Sequence, residues 1–223
     1  MSKIILVVAA HPDDEVLGCA GTIAKHVASG DIVHVIFMTN GVSSRNESNH
    51  DAAMDRKIAA QKSSDILGVK SIQYFDFPDN KMDEVPLLNI VKLIENVIHD
   101  LNPRVIYTHH IGDLNIDHQI VHRAVVTSCR PLPGFCVKEV YAFEVLSSTE
   151  WQTPGHMIFS PNVFVDISKQ IKIKQDALAC YAKEMHKAPH GRSAENSIRL
   201  ASLRGNSVGV NYAEAFVSIR EIR

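Results

Sequence analysis

Residues 4–15 read Ile4-Ile5-Leu6-Val7-Val8-Ala9-Ala10-His11-Pro12-Asp13-Asp14-Glu15. The apolar run at residues 3–10 is typical of a strand buried on both faces, as in a parallel sheet. The proline and the acidic residues after it suit the first turn of a helix. His11 and the three carboxylates can bind metal or move protons. We therefore predict a strand, a ligand-rich turn and a helix.

The same alternation of strand and helix continues along the chain. Apolar runs predict further strands at residues 32–39, 71–75, 104–108 and 137–144, separated by helices at about 13–29, 52–67, 85–101 and 117–128. This pattern predicts a Rossmann-like α/β fold, in which a doubly wound, mainly parallel sheet has helices on both faces. The last third is less regular, with helices near 168–185 and after Ser193 and a strand near 213–219. Because no repeat or boundary interrupts the pattern, we treat residues 1–223 as a single domain.

Composition excludes several functional classes. The 223 residues are 45% hydrophobic and 22% charged, with a net charge of −2 and no basic tract, which argues against a nucleic-acid partner. The N-terminal apolar run is too short for a signal peptide or a membrane span. The four cysteines form no CxxC pair. Free thiols and a cytoplasmic location are expected.

The turn after the first strand has three interpretations. His11 and Asp14 can share one divalent cation, which leaves Asp13 free to act on a water bound to the metal. Helix capping alone would explain one or two acidic residues, but it requires neither the histidine nor three adjacent carboxylates, which repel one another unless a cation is near. Phosphate binding is disfavoured because the turn lacks a GxGxxG pattern.

A second group of possible ligands follows the fourth strand, between His109 and His118. In a sheet of order 3-2-1-4-5, strands one and four are neighbours, and ligands bind beyond their carboxyl ends. His118 can therefore meet His11 and Asp14 in an open site of two histidines and one carboxylate, an arrangement typical of catalytic zinc. Asp117 also suits the N-cap of the following helix.

These motifs resemble those of the PIG-L/LmbE-type zinc-dependent de-N-acetylases, which remove acetyl from N-acetylglucosamine-type groups. AHPDDE after an N-terminal strand is the specific part, together with Asp117-His118 after strand four. Weaker similarities extend over nearly the whole chain; they are Gly41, Arg56, Pro78-Asp79 and residues 209–216. The resemblance implies one Zn²⁺ per chain, held by His11, Asp14 and His118, with Asp13 as the general base for the zinc-bound water.

The chain departs from the family pattern beside His118. Many members have His-Pro-Asp-His where this chain has Asn115-Ile116-Asp117-His118. Asn115 thus takes the place of a histidine that helps to stabilise the oxyanion. An amide can donate a hydrogen bond, but it cannot protonate the leaving amine. Either Asp13 performs both proton transfers or His110 substitutes. Our expected catalytic set is Asp13, Asn115 and Asp117.

The expected substrate-binding residues are Arg45, Arg56, Asp79 and His110. Arg45 lies in the loop after strand two, where a solvated arginine is an equally good interpretation. Arg56 and Asp79 rest on the resemblance, and Arg56 alone would be read as a surface charge. The family implies a small amino-sugar substrate and a homo-oligomer. Two alternatives stay open: a non-haem Fe(II) oxygenase with a two-histidine, one-carboxylate triad, and a metal- or sugar-binding module without catalysis.

Overall fold

The N-terminal apolar run forms the central strand β1 (Ile4–Ala9), and its last five residues are fully buried. In the computed structural model, which describes residues 2–41 and 50–223, β1 pairs in parallel with β2 (Ile32–Thr39) and with β4 (Val105–His109). The run has apolar side chains at every position because helices cover both faces of the strand. The predicted first strand is therefore confirmed.

Within residues 2–41 and 50–223, the sheet has seven strands in the order β3-β2-β1-β4-β5-β7-β6. Its remaining members are β3 (Ser71–Phe77), β5 (Glu139–Phe143), β6 (Val163–Asp166) and β7 (Ala213–Glu221). The first five strands in this order are parallel, and β7 runs antiparallel to both β5 and β6. The predicted fold class and the order 3-2-1-4-5 are confirmed. The edge strand β6 was not predicted, because four residues give too short a pattern.

Helices cover both faces of this sheet. One face packs against α1 (Asp14–Ala28), α2 (His50–Leu67) and α5 (Ile171–Cys180), and the other against α3 (Leu87–Leu101) and α4 (Ile116–Ser128). The last helix, α6 (Ala194–Asn206), contacts β7. Helix α5 is shorter than predicted. It ends at Cys180, and the next residue, Tyr181, donates a hydrogen bond from its hydroxyl to Glu15 Oε1 at 2.6 Å.

Helix α1 is interrupted at Cys19, whose φ and ψ angles are −148° and 22°. Lys174 Nζ donates to the carbonyl oxygens of Val16 and Leu17, at 3.1 and 3.0 Å. Glu214 accepts from the backbone N–H groups of Gly21 and Thr22, at 2.9 and 2.7 Å. The two side chains also pair with each other at 2.6 Å. This buried ion pair satisfies backbone groups that the interruption leaves open.

Two sequence-based expectations concern covalent and membrane features. All four cysteines are free thiols, as expected. Within residues 2–41 and 50–223, no helix combines the length and the apolar character that crossing a bilayer requires.

Candidate metal and catalytic centre

The centre forms where β1 and β4 end side by side. Because the two strands are parallel neighbours, the turn after Ala9 and the loop after His109 leave the sheet at the same edge. Helices α1 and α4 begin there, so their N-termini also meet at this edge. The topology therefore brings together two segments about a hundred residues apart, as predicted for a doubly wound sheet.

Three side-chain atoms converge at this edge. His11 Nδ1 lies 3.2 Å from Asp14 Oδ2 and 3.3 Å from His118 Nε2, and His118 Nε2 lies 3.4 Å from Asp14 Oδ2. Tetrahedral zinc with bonds of about 2.0–2.1 Å separates its ligand atoms by about 3.3 Å. The three pairwise distances therefore match one face of a tetrahedral zinc site.

The outer nitrogens of both histidines face carboxylates. His11 Nε2 lies 3.0 Å from Asp117 Oδ2 and 3.1 Å from Asp79 Oδ1. His118 Nδ1 lies 3.1 Å from Asp113 Oδ1. A carboxylate behind a histidine is the usual arrangement at metal sites, because it fixes the ring and its tautomer. These contacts leave Nδ1 of His11 and Nε2 of His118 facing each other and Asp14.

The charge of this region favours a cation. Among the described residues, six carboxylates are buried at or beside the centre, namely those of Asp13, Asp14, Glu15, Asp79, Asp113 and Asp117. Burial would raise the pKa of Asp14, but His118 and His109 hold that pKa well below its usual range. Its Oδ1 atom is buried without a hydrogen-bond partner among the described residues. Buried charges need compensation, so this donor set fits a divalent metal.

His118 provides a test of metal binding. Burial disfavours its charged form, but Asp14 and Asp113 outweigh that effect and raise its pKa from 6.5 to about 9. In the metal-free protein, the proton on His118 stabilises the fold fully below pH 6.5, and this stabilisation is lost as the pH rises through about 9. Zinc must displace that proton. We therefore expect the gain in Tm on adding Zn²⁺ to increase between about pH 6.5 and 8.5; a gain that is constant with pH would contradict this prediction.

Asp13 occupies an unusual position beside these ligands. Its φ angle of 124° is rarely adopted by residues other than glycine, and its side chain makes no capping hydrogen bond to α1. Its backbone N–H donates to Glu15 Oε2 at 2.9 Å. Burial raises the pKa of the Glu15 carboxyl to about 8. The capping-only interpretation is therefore wrong for Asp13, because its side chain makes no capping hydrogen bond. The hydrogen bond from its backbone to Glu15 instead helps to hold a strained turn.

Two arginines contact the Asp13 carboxylate. Arg56 Nη2 and Arg192 Nη1 each lie 3.0 Å from Oδ2, whereas Oδ1 is buried and has no hydrogen-bond partner among the described residues. Arg56 also donates to the carbonyl oxygens of Pro12 and Gly41. Arg56 is 6% exposed, so its interpretation as a surface charge is wrong. Burial raises the pKa of Asp13, and both guanidinium groups oppose that rise.

The residues around the start of α4 have distinct partners. Asn115 is the N-cap: its Oδ1 accepts from Asp117 N–H at 2.9 Å, and its Nδ2 donates to Asn80 Oδ1 at 3.0 Å. The cap is thus Asn115 and not Asp117. The Asp117 carboxylate accepts from the N–H groups of Asn80 and Met82, at 2.7 and 3.0 Å, in addition to its contact with His11. Asp117 therefore lies behind His11 and holds its ring in place.

Neither His109, which ends β4, nor His110, which follows it, belongs to the ligand triangle, the three candidate metal-binding atoms of His11, Asp14 and His118. His109 Nε2 accepts from Ala10 N–H at 2.8 Å, and its ring stacks on that of His118 with centroids 3.9 Å apart. Burial and the neighbouring charge of His118 lower its pKa. His110 Nε2 donates to the carbonyl oxygen of Met157 at 2.8 Å. Both therefore have the hydrogen-bonded role that is common at strand ends.

Most residues of this centre were predicted from the sequence, but Asp113 and Arg192 were not. Arg45 lies outside the described residues, so its expected contact with substrate stays a prediction. The sequence predicts a ligand-rich loop between His109 and His118 but assigns no role to Asp113, although its place two residues before Asn115 was an available signal. Arg192 carried no local signal, because it approaches Asp13 from a segment 179 residues away in sequence.

Comparisons with known proteins show the family and the fold to which this chain is similar. Residues 6–129 match the family model PIG-L, described as GlcNAc-PI de-N-acetylase. A diacetylchitobiose deacetylase of Thermococcus kodakarensis is 30% identical over 200 residues, covering 82% of this chain and 70% of that protein. A 4-oxalmesaconate hydratase of Pseudomonas putida is 26% identical, covering 97% and 89%. The structure of N,N'-diacetylchitobiose deacetylase from Pyrococcus horikoshii superposes with a TM-score of 0.80 at 21% identity, covering 98% and 84%.

Proposed function

The chain belongs to the PIG-L family of deacetylases, and from this premise we propose that it is a zinc-dependent hydrolase that removes the acetyl group from an N-acetylglucosamine-type amino sugar. The observation that carries the proposal is the triangle of His11, Asp14 and His118, whose ligand atoms are 3.2–3.4 Å apart. Asp13 lies next to this triangle in sequence, and one oxygen of its carboxylate has no hydrogen-bond partner among the described residues.

The donor set supports one zinc ion per chain. His11, Asp14 and His118 would hold it, while Asp117, Asp79 and Asp113 keep the two rings in place. Three protein ligands leave an open position, as in catalytic zinc sites. When bound, zinc supplies Lewis-acid activation of water and of the acetamide carbonyl.

Asp13 is the proposed general base and acid. Its Oδ1 atom takes a proton from water as the water oxygen bonds to the acetamide carbon. When the C–N bond breaks, the same proton passes to the leaving nitrogen, which gives acetate and a free amine. Asp13 performs both transfers in this scheme, because Nε2 of His110 is engaged with the Met157 carbonyl and Asn115 carries no acidic proton.

The remaining expected residues take supporting roles in the proposal. Arg56 contacts Asp13, and Asp79 contacts His11, so both are proposed to support the site residues next to them. Arg45 and His110 are proposed to contact the sugar, His110 through Nδ1, because its Nε2 donates to the Met157 carbonyl. A homo-oligomer and a cytoplasmic location remain expectations, which sedimentation and localisation of the tagged protein would test.

The decisive experiment measures acetate release from protein purified without chelator. The panel is N-acetylglucosamine, diacetylchitobiose, and N-acetylglucosamine derivatives with a charged substituent. We expect acetate and free amine in equal amounts, with activity lost on chelation and restored by Zn²⁺. Bound metal is measured in the same samples.

Other outcomes would replace the proposal. Iron in the purified protein with oxygen-dependent turnover would support the Fe(II) oxygenase. Sugar binding without turnover would support the non-catalytic module. Hydration of 4-oxalmesaconate without acetate release would support the chemistry named for the Pseudomonas putida relative, whose match covers 97% of this chain.

Asn115 is proposed to donate a hydrogen bond to the carbonyl oxygen of the substrate through Nδ2. We expect Asn115→Asp to keep the helix cap, because aspartate caps as well as asparagine, and to lower kcat about 10- to 100-fold, because a carboxylate cannot donate. Asn115→Ala should lower kcat similarly and also cost about 1 kcal/mol in the free energy of unfolding. Zinc content should not change in either variant. Normal turnover in Asn115→Asp would remove Asn115 from the site.

A further inference from the structure

The two oxygens of the Asp13 carboxylate have different surroundings. Oδ2 accepts hydrogen bonds from Arg56 and Arg192, both at 3.0 Å. Oδ1 is buried and has no hydrogen-bond partner within the described residues. A buried carboxylate oxygen is rarely left without a donor, so Oδ1 is the oxygen whose hydrogen-bonding capacity remains for a water molecule or a substrate.

The two oxygens can exchange places by rotation about one bond. The terminal torsion of an aspartate is broad and nearly two-fold, so its local geometry does not hold one orientation. Donors on Oδ2 but not on Oδ1 remove this symmetry, because charge-assisted hydrogen bonds are the strong ones. The arginines therefore decide which oxygen faces the reaction.

Arg56 pairs with Asp13 and also with a second carboxylate. Its Nη2 atom lies 3.0 Å from Asp13 Oδ2 and 3.2 Å from Glu184 Oε2, so one amino group serves two carboxylates. Its Nε and Nη1 atoms donate to the backbone of Pro12 and Gly41. The main contribution of Arg56 is to hold the backbone on either side of the site.

The Arg192 side chain forms its ion pair with Asp13. Within the described part of the chain, Asp13 is the one carboxylate with which its side chain pairs. Its Nε atom donates to Ser147 Oγ at 3.0 Å, and its backbone N–H donates to His190 Nδ1 at 3.0 Å. Ser147 therefore fixes the guanidinium group through Nε while Nη1 contacts Asp13 Oδ2. It lies outside the segment that matches the family model.

We propose that Arg192 is a positioning residue for the general base: it holds Oδ2 of Asp13 so that Oδ1 faces the reacting water. The inference rests on the proposed deacetylase function. Its effect is on the orientation of Asp13, so Arg192 should influence the chemical step more than substrate binding.

The kinetic test compares Arg192→Gln, Arg192→Lys and Arg192→Ala in the zinc-loaded full chain. We expect Arg192→Gln to lower kcat about 10- to 100-fold, with KM within about threefold of wild type and zinc content unchanged. Arg192→Lys should recover part of the loss, and added guanidinium ion should restore part of the activity of Arg192→Ala. Arg204→Gln, which breaks the α6 pair with Glu144, is the matched control and should keep wild-type kcat.

The second test needs no turnover. In zinc-free protein, the Tm changes of Asp13→Asn and Arg192→Gln should be non-additive in the double variant, because both changes remove the same contact. Additive changes, a raised KM with unchanged kcat, or a loss of zinc in Arg192→Gln would each overturn the inference. If wild type releases no acetate but the Tm changes are non-additive, the proposed function fails and the Asp13–Arg192 contact stands.

Discussion

Asp13→Asn is expected to lower the turnover of acetylated substrate by about 10²- to 10⁴-fold while the protein keeps its zinc. The amide has the shape of the carboxylate, and asparagine tolerates the positive φ angle of 124° better than most residues do. It has no basic oxygen that can take a proton from water. Turnover measured at saturating substrate, together with metal content and Tm, separates loss of chemistry from loss of fold.

The matched controls for this variant are the neighbouring ligands. His11→Ala and His118→Ala remove atoms from the ligand triangle, so both should lose zinc as well as activity. Asp13→Asn should differ from them by keeping its zinc and the gain in Tm that zinc binding gives. Near-normal turnover in Asp13→Asn on a good substrate would show that another group is the base.

Lys174→Met is expected to have the largest effect on stability, lowering the free energy of unfolding by about 3–5 kcal/mol. The substitution keeps the volume of the side chain but removes its charge. Glu214 would remain buried as an unpaired anion, and the carbonyl groups of Val16 and Leu17 would lose their donor. Urea unfolding of the zinc-free protein measures the change without a contribution from metal binding.

Helix α5 supplies the control two residues away. Lys172 pairs with Asp176 at 2.7 Å, but its side chain is 75% exposed, so Lys172→Met should change stability by less than about 0.5 kcal/mol. Both lysines lie in α5 and pair with a carboxylate, but one is exposed and the other is buried. The difference between the two losses of stability therefore reports mainly on burial. A loss below about 1 kcal/mol in Lys174→Met would mean that the interruption of α1 needs no ion pair.

The sequence predicted the parallel half of the fold because its signal is local and periodic. The run that became β1 is apolar at every position, and the order of the first five strands follows from alternating strands and helices. The ligand triangle could also be predicted, since His11 and Asp14 are three residues apart and His118 leaves the neighbouring strand. These features depend on spacing and topology, both of which can be read from the chain.

The features that were missed depend on contacts between distant segments. Nothing near Cys19 indicates that α1 is interrupted, because the groups that satisfy the interruption come from Lys174 and Glu214. The role of Arg192 is likewise invisible until Asp13 is placed in space. A long charged residue in an irregular segment has many possible partners, and sequence alone does not choose among them.

The antiparallel strand β7 has a consequence for synthesis on the ribosome. A nascent chain that has emerged as far as His118 already carries every side chain of the ligand triangle. It still lacks Arg192, which contacts Asp13, and β7, which enters the sheet between β5 and β6 only after residues 213–221 have been made. The proposed metal ligands are therefore synthesised before the arginine that is proposed to orient Asp13. If the proposal holds, metal binding and hydrolysis require different lengths of the chain to have been made.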